Sequence, residues 1–371
     1  MKSGSHRETF TGCEDYTYIN AESRSGRPTR LILRPVSNML TKRQRSVDSM
    51  IEVVRYESSY KSRWDDFVRN SNNGSFLFFR DYMDYHLDRF LDSSLLFFEE
   101  DDLVALMPAN IADDIFCSHA GLTFGGVISD RKKMRIELML DVFDSLMEYL
   151  SQHRIKTIVY KPIPHIYHTV PAEEDLYALF RHGARLIRRD VSSAIVFDEP
   201  IPFNRRRRRG ITLAKKSGIT ITRTDDFEAF MSIEVGVLES KYNVKPTHTS
   251  SEITSLAQKF PENIKLFAAY RDEIMLAGVI IYERKPVVHG QYAASSEIGR
   301  KMRAADLLWN FLITHYSTEK KYFDFGISTE KGGAYLNSGL AAYKESFGAR
   351  AVMYDTYEVD VANNRSPSDP P

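Results

Sequence analysis

Residues 322–357 read YFDFGISTEKGGAYLNSGLAAYKESFGARAVMYDTY. An aromatic strand, 322–325, meets Gly326 and opens into a polar loop carrying Ser328, Thr329 and Glu330; a helix then ends in Tyr343, Lys344, Glu345, Phe347 and Gly348. Strand ends that open into polar loops are where α/β folds place chemistry, because the backbone is rigid there and the side chains stay reachable. The stretch reads as a site.

Working outward, an amphipathic helix with Ala304, Leu307, Leu308, Phe311 and Leu312 on one face leads into this strand. Before it come three strands, 264–270, 274–282 and 287–294, the first two joined by a turn at 271–273. They follow a strand at 219–222 and helices over 226–241 and 251–260, the second capped at Ser250 and Ser251. The first half has the same order. It begins with a strand at 51–56 and a helix around 64–68. A meander follows, with 94–98 and 103–111 flanking an acidic turn at 99–102. A helix bearing Ile136, Met139, Leu140, Phe143, Met147 and Leu150 and a strand at 155–160 complete it. The helix starts share letters, KKMR at 132–135 and RKMR at 300–303, 168 residues apart. Element order, helix phase and spacing together imply an internal duplication with its join near 197–216.

This order, with an Asp-Phe-Gly strand before a helix ending in Tyr-Lys and then Phe-Gly, resembles the Fem-like branch of the GNAT acyl-CoA N-acyltransferase superfamily. The resemblance covers about 51–361 and implies an α/β mixed-sheet fold of two tandem GNAT-like lobes, 51–200 and 201–361, the second an acyltransferase. No pair of long heptad-patterned helices suggests the coiled-coil arm of the larger Fem proteins. The extension 1–50 and the tail 362–371 lack periodicity and read as disordered. Met50 is a candidate start.

Acyl transfer from a thioester needs a grip on the donor, a placed nucleophile, a proton path and oxyanion stabilisation. For the grip, the resemblance points to 295–303, SSEIGRKMR, where Gly299 permits close backbone approach and Arg300, Lys301 and Arg303 supply charge; a solvated helix start is the plainer alternative. For the chemistry it points to Lys344 and to Tyr343, a candidate acid toward the departing thiolate or else a core aromatic. Asp324, between two rings, is a candidate general base or a structural acceptor, and Glu330 is the alternative base. In the first lobe, SHAGLTFGG offers Ser118, His119 and Thr123 for a substrate; KYNVKPTHTS offers Tyr242, Lys245 and His248 at the acceptor side. The basic run 205–209 reads as a solvated helix, or as a contact for an anionic substrate between the lobes.

The chain carries 50 basic and 50 acidic residues, 9 and 5 of them in the first fifty, so the lobes are slightly acidic and do not announce a nucleic-acid binder. No run of eighteen apolar residues and no apolar leader suggests membrane insertion or export, and a cytoplasmic home is expected. Cys13 and Cys117 sit in unlike contexts, against a disulfide framework, and no metal site is expected. The expected protein is an N-acyltransferase using acyl-CoA as co-substrate. Its acceptor is the amine of an amino sugar or another small-molecule or nucleotide-linked precursor of a surface polymer. An aminoacyl-tRNA donor acting on peptidoglycan precursors, and a non-catalytic binding protein, are the rivals.

Overall fold

The computed structural model describes residues 51–362 apart from 87 and 243–245. The extension 1–50, with Cys13 and Met50, Lys245, and the tail after Ala362 lie outside the described residues.

The first half runs β1 (Ile51–Arg55), α1 (Lys61–Asn70), α2 (Arg80–Met83), β2 (Leu91–Asp92), β3 (Leu95–Glu99), β4 (Asp102–Met107), β5 (Asn110–Ala112), β6 (Ile115–Cys117), β7 (Ile128–Ser129), α3 (Ile136–Gln152), β8 (Thr157–Tyr160), α4 (Glu174–Arg181) and β9 (Arg185–Val196). The second runs α5 (Arg205–Lys216), β10 (Thr220–Thr224), α6 (Phe227–Tyr242), α7 (Ser250–Lys259), β11 (Ile264–Arg271), β12 (Ile274–Glu283), β13 (Val287–Ser295), α8 (Glu297–Lys301), α9 (Ala304–Tyr316), β14 (Tyr322–Ile327), β15 (Thr329–Glu330), β16 (Tyr335–Leu336), α10 (Ser338–Glu345) and β17 (Arg350–Asp360). The repeated order is that of two tandem GNAT-like lobes. The KKMR and RKMR quartets sit at matching places, directly before α3 and α9.

Local chemistry explains most boundaries. Asp272 and Glu273 both take left-handed φ, 49° and 64°, the turn that matches strand twist between β11 and β12. The cap of α7 is Thr249 rather than the serines after it: its side chain accepts from the Glu252 amide while Glu252 reaches back to the Thr249 amide. The strand expected over 103–111 is cut at Pro108, which lacks a ladder donor, so β4 joins a four-stranded sheet with β1, β3 and β7 while β5 joins the main sheet. On α3 Met139, Phe143, Met147 and Leu150 are buried as expected, and the buried stripe is wider than that face. Leu138, Val142 and Leu146 are core, and Ile136 at the first turn is exposed.

The main sheet has eleven strands in the order β10-β11-β12-β13-β14-β9-β17-β8-β6-β5-β2. The last strands of the two lobes have changed places: β9, from the first, pairs antiparallel with β14 of the second, and β17, from the second, pairs antiparallel with β8 of the first. Between them β9 and β17 pair with each other from Ala194↔Arg350 to Arg185↔Glu358. The same spacing separates Thr157 from Tyr322 and Arg185 from Arg350, so the exchange is symmetric. One ladder therefore runs through both lobes, and the described residues pack as one unit.

Because each lobe completes its sheet with the other's strand, fragments 51–199 and 200–362 are expected to be insoluble or unfolded when made alone and to reassemble when made together. A cooperative thermal transition from either fragment by itself would contradict the exchange.

Candidate functional site

In the second lobe β13 and β14 are parallel, but they pair over only three positions, Val287↔Tyr322, Val288↔Phe323 and His289↔Asp324. Beyond these the strands part. On β13 the register with β12 slips between Ile280 and Ile281, leaving Gln291 as an extra residue that bends the strand. Gly290 lets the Trp309 ring of α9 in: a Cβ there would lie 2.8 Å from it. On β14, Gly326 turns the chain away with a φ of +79° that other residues rarely adopt. The strands splay into a V, and the V opens a cleft of about 530 Å³.

One wall of the cleft carries Gly299, Arg300 and Arg303; the other carries Phe325, Tyr343 and Lys344. Gly299 is required for packing rather than for a ligand, since a Cβ would lie 2.1 Å from the Leu276 carbonyl, and its amide donates to the Ser296 cap. Arg300 donates to the Ser295 carbonyl and keeps its remaining donors exposed. Lys301 is outside the lining and pairs with Glu297 in solvent. Tyr343 donates to Asp306 at 3.2 Å; burial, then the Asp306 charge, push its phenol up, so it stays protonated and fits the role of an acid. Lys344, 6% exposed, donates from Nζ to the carbonyls of Gly326 and Ile327, each at 2.7 Å. Burial lowers its pKa to about 8, against the pull of Asp324. It clamps the end of β14 and leaves one ammonium proton over.

Asp324 does not face the cleft. Phe323 and Phe325 point to the α9 side and Asp324 to the other, where it is fully buried. Tyr167 and Tyr354 donate to Oδ2 at 2.5 Å each, with His289 Nδ1 at 2.9 Å; Ser192 donates to Oδ1 at 2.5 Å and the Gly326 amide at 3.0 Å. Burial alone would raise this carboxyl, but His289, by charge and hydrogen bond, then Ser192 and Tyr167, hold it well below the usual carboxylate range. A carboxylate with five donors and a depressed pKa is a poor base, so of its two sequence readings the geometry selects the structural acceptor. Glu330 is also outside the cleft lining. It sits on the β15–β16 hairpin and accepts from Asn337, the cap of α10.

No protein-family model matches the chain, and no curated protein sequence does. Solved structures do. FemX is similar over 82% of this chain and 96% of its own, at 14% identity and a TM-score of 0.58. The C-terminal domain of a putative lysylphosphatidylglycerol synthetase from Agrobacterium fabrum covers 82% of this chain and 93% of its own, at 12% identity and 0.55. A conserved protein of unknown function from Bacteroides thetaiotaomicron covers 84% and 100%, at 9% identity and 0.56. The chain has the FemX fold.

Within this FemX fold the first lobe makes the matching V between parallel β6 and β8 and then closes it. The SHAGLTFGG loop, expected to cradle a substrate, fills the gap with its own groups. Ser118 Oγ accepts from the Lys161 amide at 2.7 Å, the Gly125 amide donates to the Lys161 carbonyl, and Lys161 Nζ donates to the Leu122 carbonyl. A Cβ on Gly125 would lie 2.1 Å from the Ser118 carbonyl. Ser118 and His119 are buried within this plug of the first lobe, and Thr123 is exposed. Cys117, at the end of β6, is a free thiol.

The remaining candidates divide. Arg207, alone in the basic run, is buried: it pairs with Asp306, donates to Ser346 and lies 4.1 Å over the Tyr343 ring. It braces the cleft wall from behind, which neither sequence reading of that run had placed. The other four arginines of the run are exposed. His248 is buried, its Nδ1 2.6 Å from the Tyr292 hydroxyl and its ring stacked on Tyr85. Tyr242 ends α6, and its side chain lies outside the described residues.

Asp324→Ala leaves buried donors unmatched and is expected to cost about 3–5 kcal/mol by denaturant unfolding. Because the folded carboxyl is depressed from its ordinary 3.8, the stability it contributes is full above that pH and is lost as pH falls further. Asp324→Asn should therefore flatten the acid limb of the wild-type stability curve. An unchanged limb would contradict the charge assigned here.

Proposed function

We propose that this protein is an N-acyltransferase whose second lobe holds an acyl-CoA thioester in the V between β13 and β14 and transfers the acyl group to an amine. The observation that carries the reading is the coincidence, in one cleft, of Arg300 and Arg303 on one wall with Tyr343 and Lys344 on the other. A pyrophosphate is met by guanidinium groups, which bind it through paired charge-assisted hydrogen bonds. A thioester laid along β13 ends beside Tyr343, whose protonated phenol can meet the leaving sulfur. The spare Lys344 proton and its charge favour the oxyanion that develops when the carbonyl is attacked. The acceptor class most in keeping with the resemblance is an amino sugar or an amine-bearing precursor of a surface polymer, small or nucleotide-linked.

An aminoacyl-tRNA donor is the second reading, which the Fem-like resemblance also implies. Against it, the longest described helix has 17 residues, so no coiled-coil arm is built from the described part of the chain. Among the described residues no helix is long and apolar enough to cross a membrane, and no cluster of three metal-ligating side chains occurs.

Calorimetry with acetyl-CoA tests the donor site. One site per chain is expected, since the first lobe is plugged, and Arg300→Ala with Arg303→Ala should weaken binding by roughly 1.5–3 kcal/mol per charged hydrogen bond lost. Two equivalent sites, or unchanged affinity in the double variant, would argue against the assignment. Tyr343→Phe keeps the ring on Arg207 and should lower turnover by about 10²-fold with donor affinity intact. Lys344→Met should lose at least as much turnover, and also stability, because two buried carbonyls lose their donor.

A further inference from the structure

Three carboxylates near the cleft are already engaged: Asp306 by Arg207 and Tyr343, Asp324 by its five donors, and Glu330 by Asn337. Glu234 on α6 is different. It is 7% exposed, and neither an ion pair nor a hydrogen bond engages its carboxylate among the described residues. Three residues on, on the same helix face, Val237 lines the cleft. α6 packs on β12 and β13 on the side away from α9, with Phe230 filling the space over Gly278. Glu234 itself is not among the residues that line the cleft; it stands one helical turn before Val237, which does, on the side of the sheet away from α9.

We propose that Glu234 takes the proton from the acceptor amine, and that the acceptor reaches the thioester over the α6 face of the second lobe. The inference rests on the acyltransferase reading. The groups around Glu234 fit it. Tyr292 of β13 feels its charge, but the Tyr292 hydroxyl is engaged by His248, ahead of α7. Behind them Tyr82 and Tyr282 meet at 3.3 Å, one from each lobe. The nearby Glu252 of α7 is held by Arg89. A lone carboxylate among tyrosines and a histidine favours an amine carried on a polyhydroxylated body, such as an amino sugar, over an anion. With nothing to offset burial, the carboxyl is raised from 4.5 to about 7, which poises it for proton transfer near neutrality.

The step balances without another reactant. The amine nitrogen attacks the acyl carbon with its lone pair, the C–N bond forms, and the N–H proton passes to Glu234. The C–S bond breaks with its electron pair on sulfur, and the thiolate takes the Tyr343 proton. Glu234 releases its proton to solvent and Tyr343 regains one, so amine and thioester become amide and thiol.

The test uses acetyl-CoA as donor and glucosamine as the probe amine, following thiol release from pH 5.5 to 9. Wild-type turnover should rise through about pH 7. Glu234→Gln should bind acetyl-CoA as before, lose roughly 10²- to 10⁴-fold in turnover and lose that limb; Glu234→Asp should keep the limb at reduced rate. A readout without turnover stands beside it. A carboxyl whose folded pKa is raised contributes stability that is full below 4.5 and lost as pH rises through about 7, so the wild-type Tm should fall across that window relative to Glu234→Gln. Full turnover with the limb retained in Glu234→Gln, or a pH-independent Tm difference, overturns the role of Glu234 and leaves the acyltransferase reading in place. Failure of the wild type to bind acetyl-CoA overturns that reading and this inference together.

Discussion

The seam where the two lobes exchange strands is gathered around one buried carboxylate. Asp324 gathers donors from five places: Gly326 on its own strand, His289 on β13, Ser192 on β9, Tyr354 on β17 and Tyr167 from the turn His165–Tyr167 in the first half of the chain. Hydrogen bonds to a charged group are worth more than neutral ones, and burying the charge without them would be prohibitive. The same contacts therefore hold the Asp324 charge in the core and pin both exchanged strands against β14. They also set where the parallel pairing stops, because the last paired residues are His289 and Asp324 themselves.

From that point the two lobes diverge. Each has a parallel strand pair that parts, yet only one gap stays open. In the first lobe a glycine-rich loop folds back and satisfies the backbone of β8, and the main chain fills what would be a cleft. In the second, the corresponding loop is the short helix α8, held back by Gly299 against Leu276, and the gap remains. The two lobes supply two similar frames, and the difference in one loop leaves one of the two gaps open. Arg207 follows the same logic: its guanidinium is spent inside, between Asp306 and the rings of Tyr343 and Phe347, so that the cleft wall is rigid.

Periodicity and local chemistry are properties of short stretches, and they were legible. The alternation of Phe323, Asp324 and Phe325, the amphipathic face of α9, the turn at Asp272 and Glu273 and the repeated quartets before α3 and α9 each follow from spacing in the chain, and together they imply two α/β lobes. The wall residues Arg300, Arg303, Tyr343 and Lys344 were also within reach, because motif and strand end coincide there. Where local signals competed, the reading slipped: Pro108 divides an apolar run that looks continuous, and Thr249 outcompetes two serines as a cap because Glu252 lies three residues after it.

What no local signal carries is the partner of a side chain. The run RLIRRDVSSAIV looks too polar for an interior strand, yet β9 lies between β14 and β17, its exposed arginines paired with acids such as Asp355 and Glu358 on β17. Whether Asp324 or Glu234 bears the proton chemistry turns on the same question. Both are acidic residues in apolar surroundings along the chain, but one meets four donors from distant segments besides the amide of its own Gly326, and the other meets none among the described residues. A carboxylate's pKa is set by the balance of desolvation and partners. The sequence by itself determined the elements, their repeated order and residues on both walls of the cleft; only the tertiary structure decided which charges are compensated, because most of the compensation comes from residues tens to hundreds of positions away.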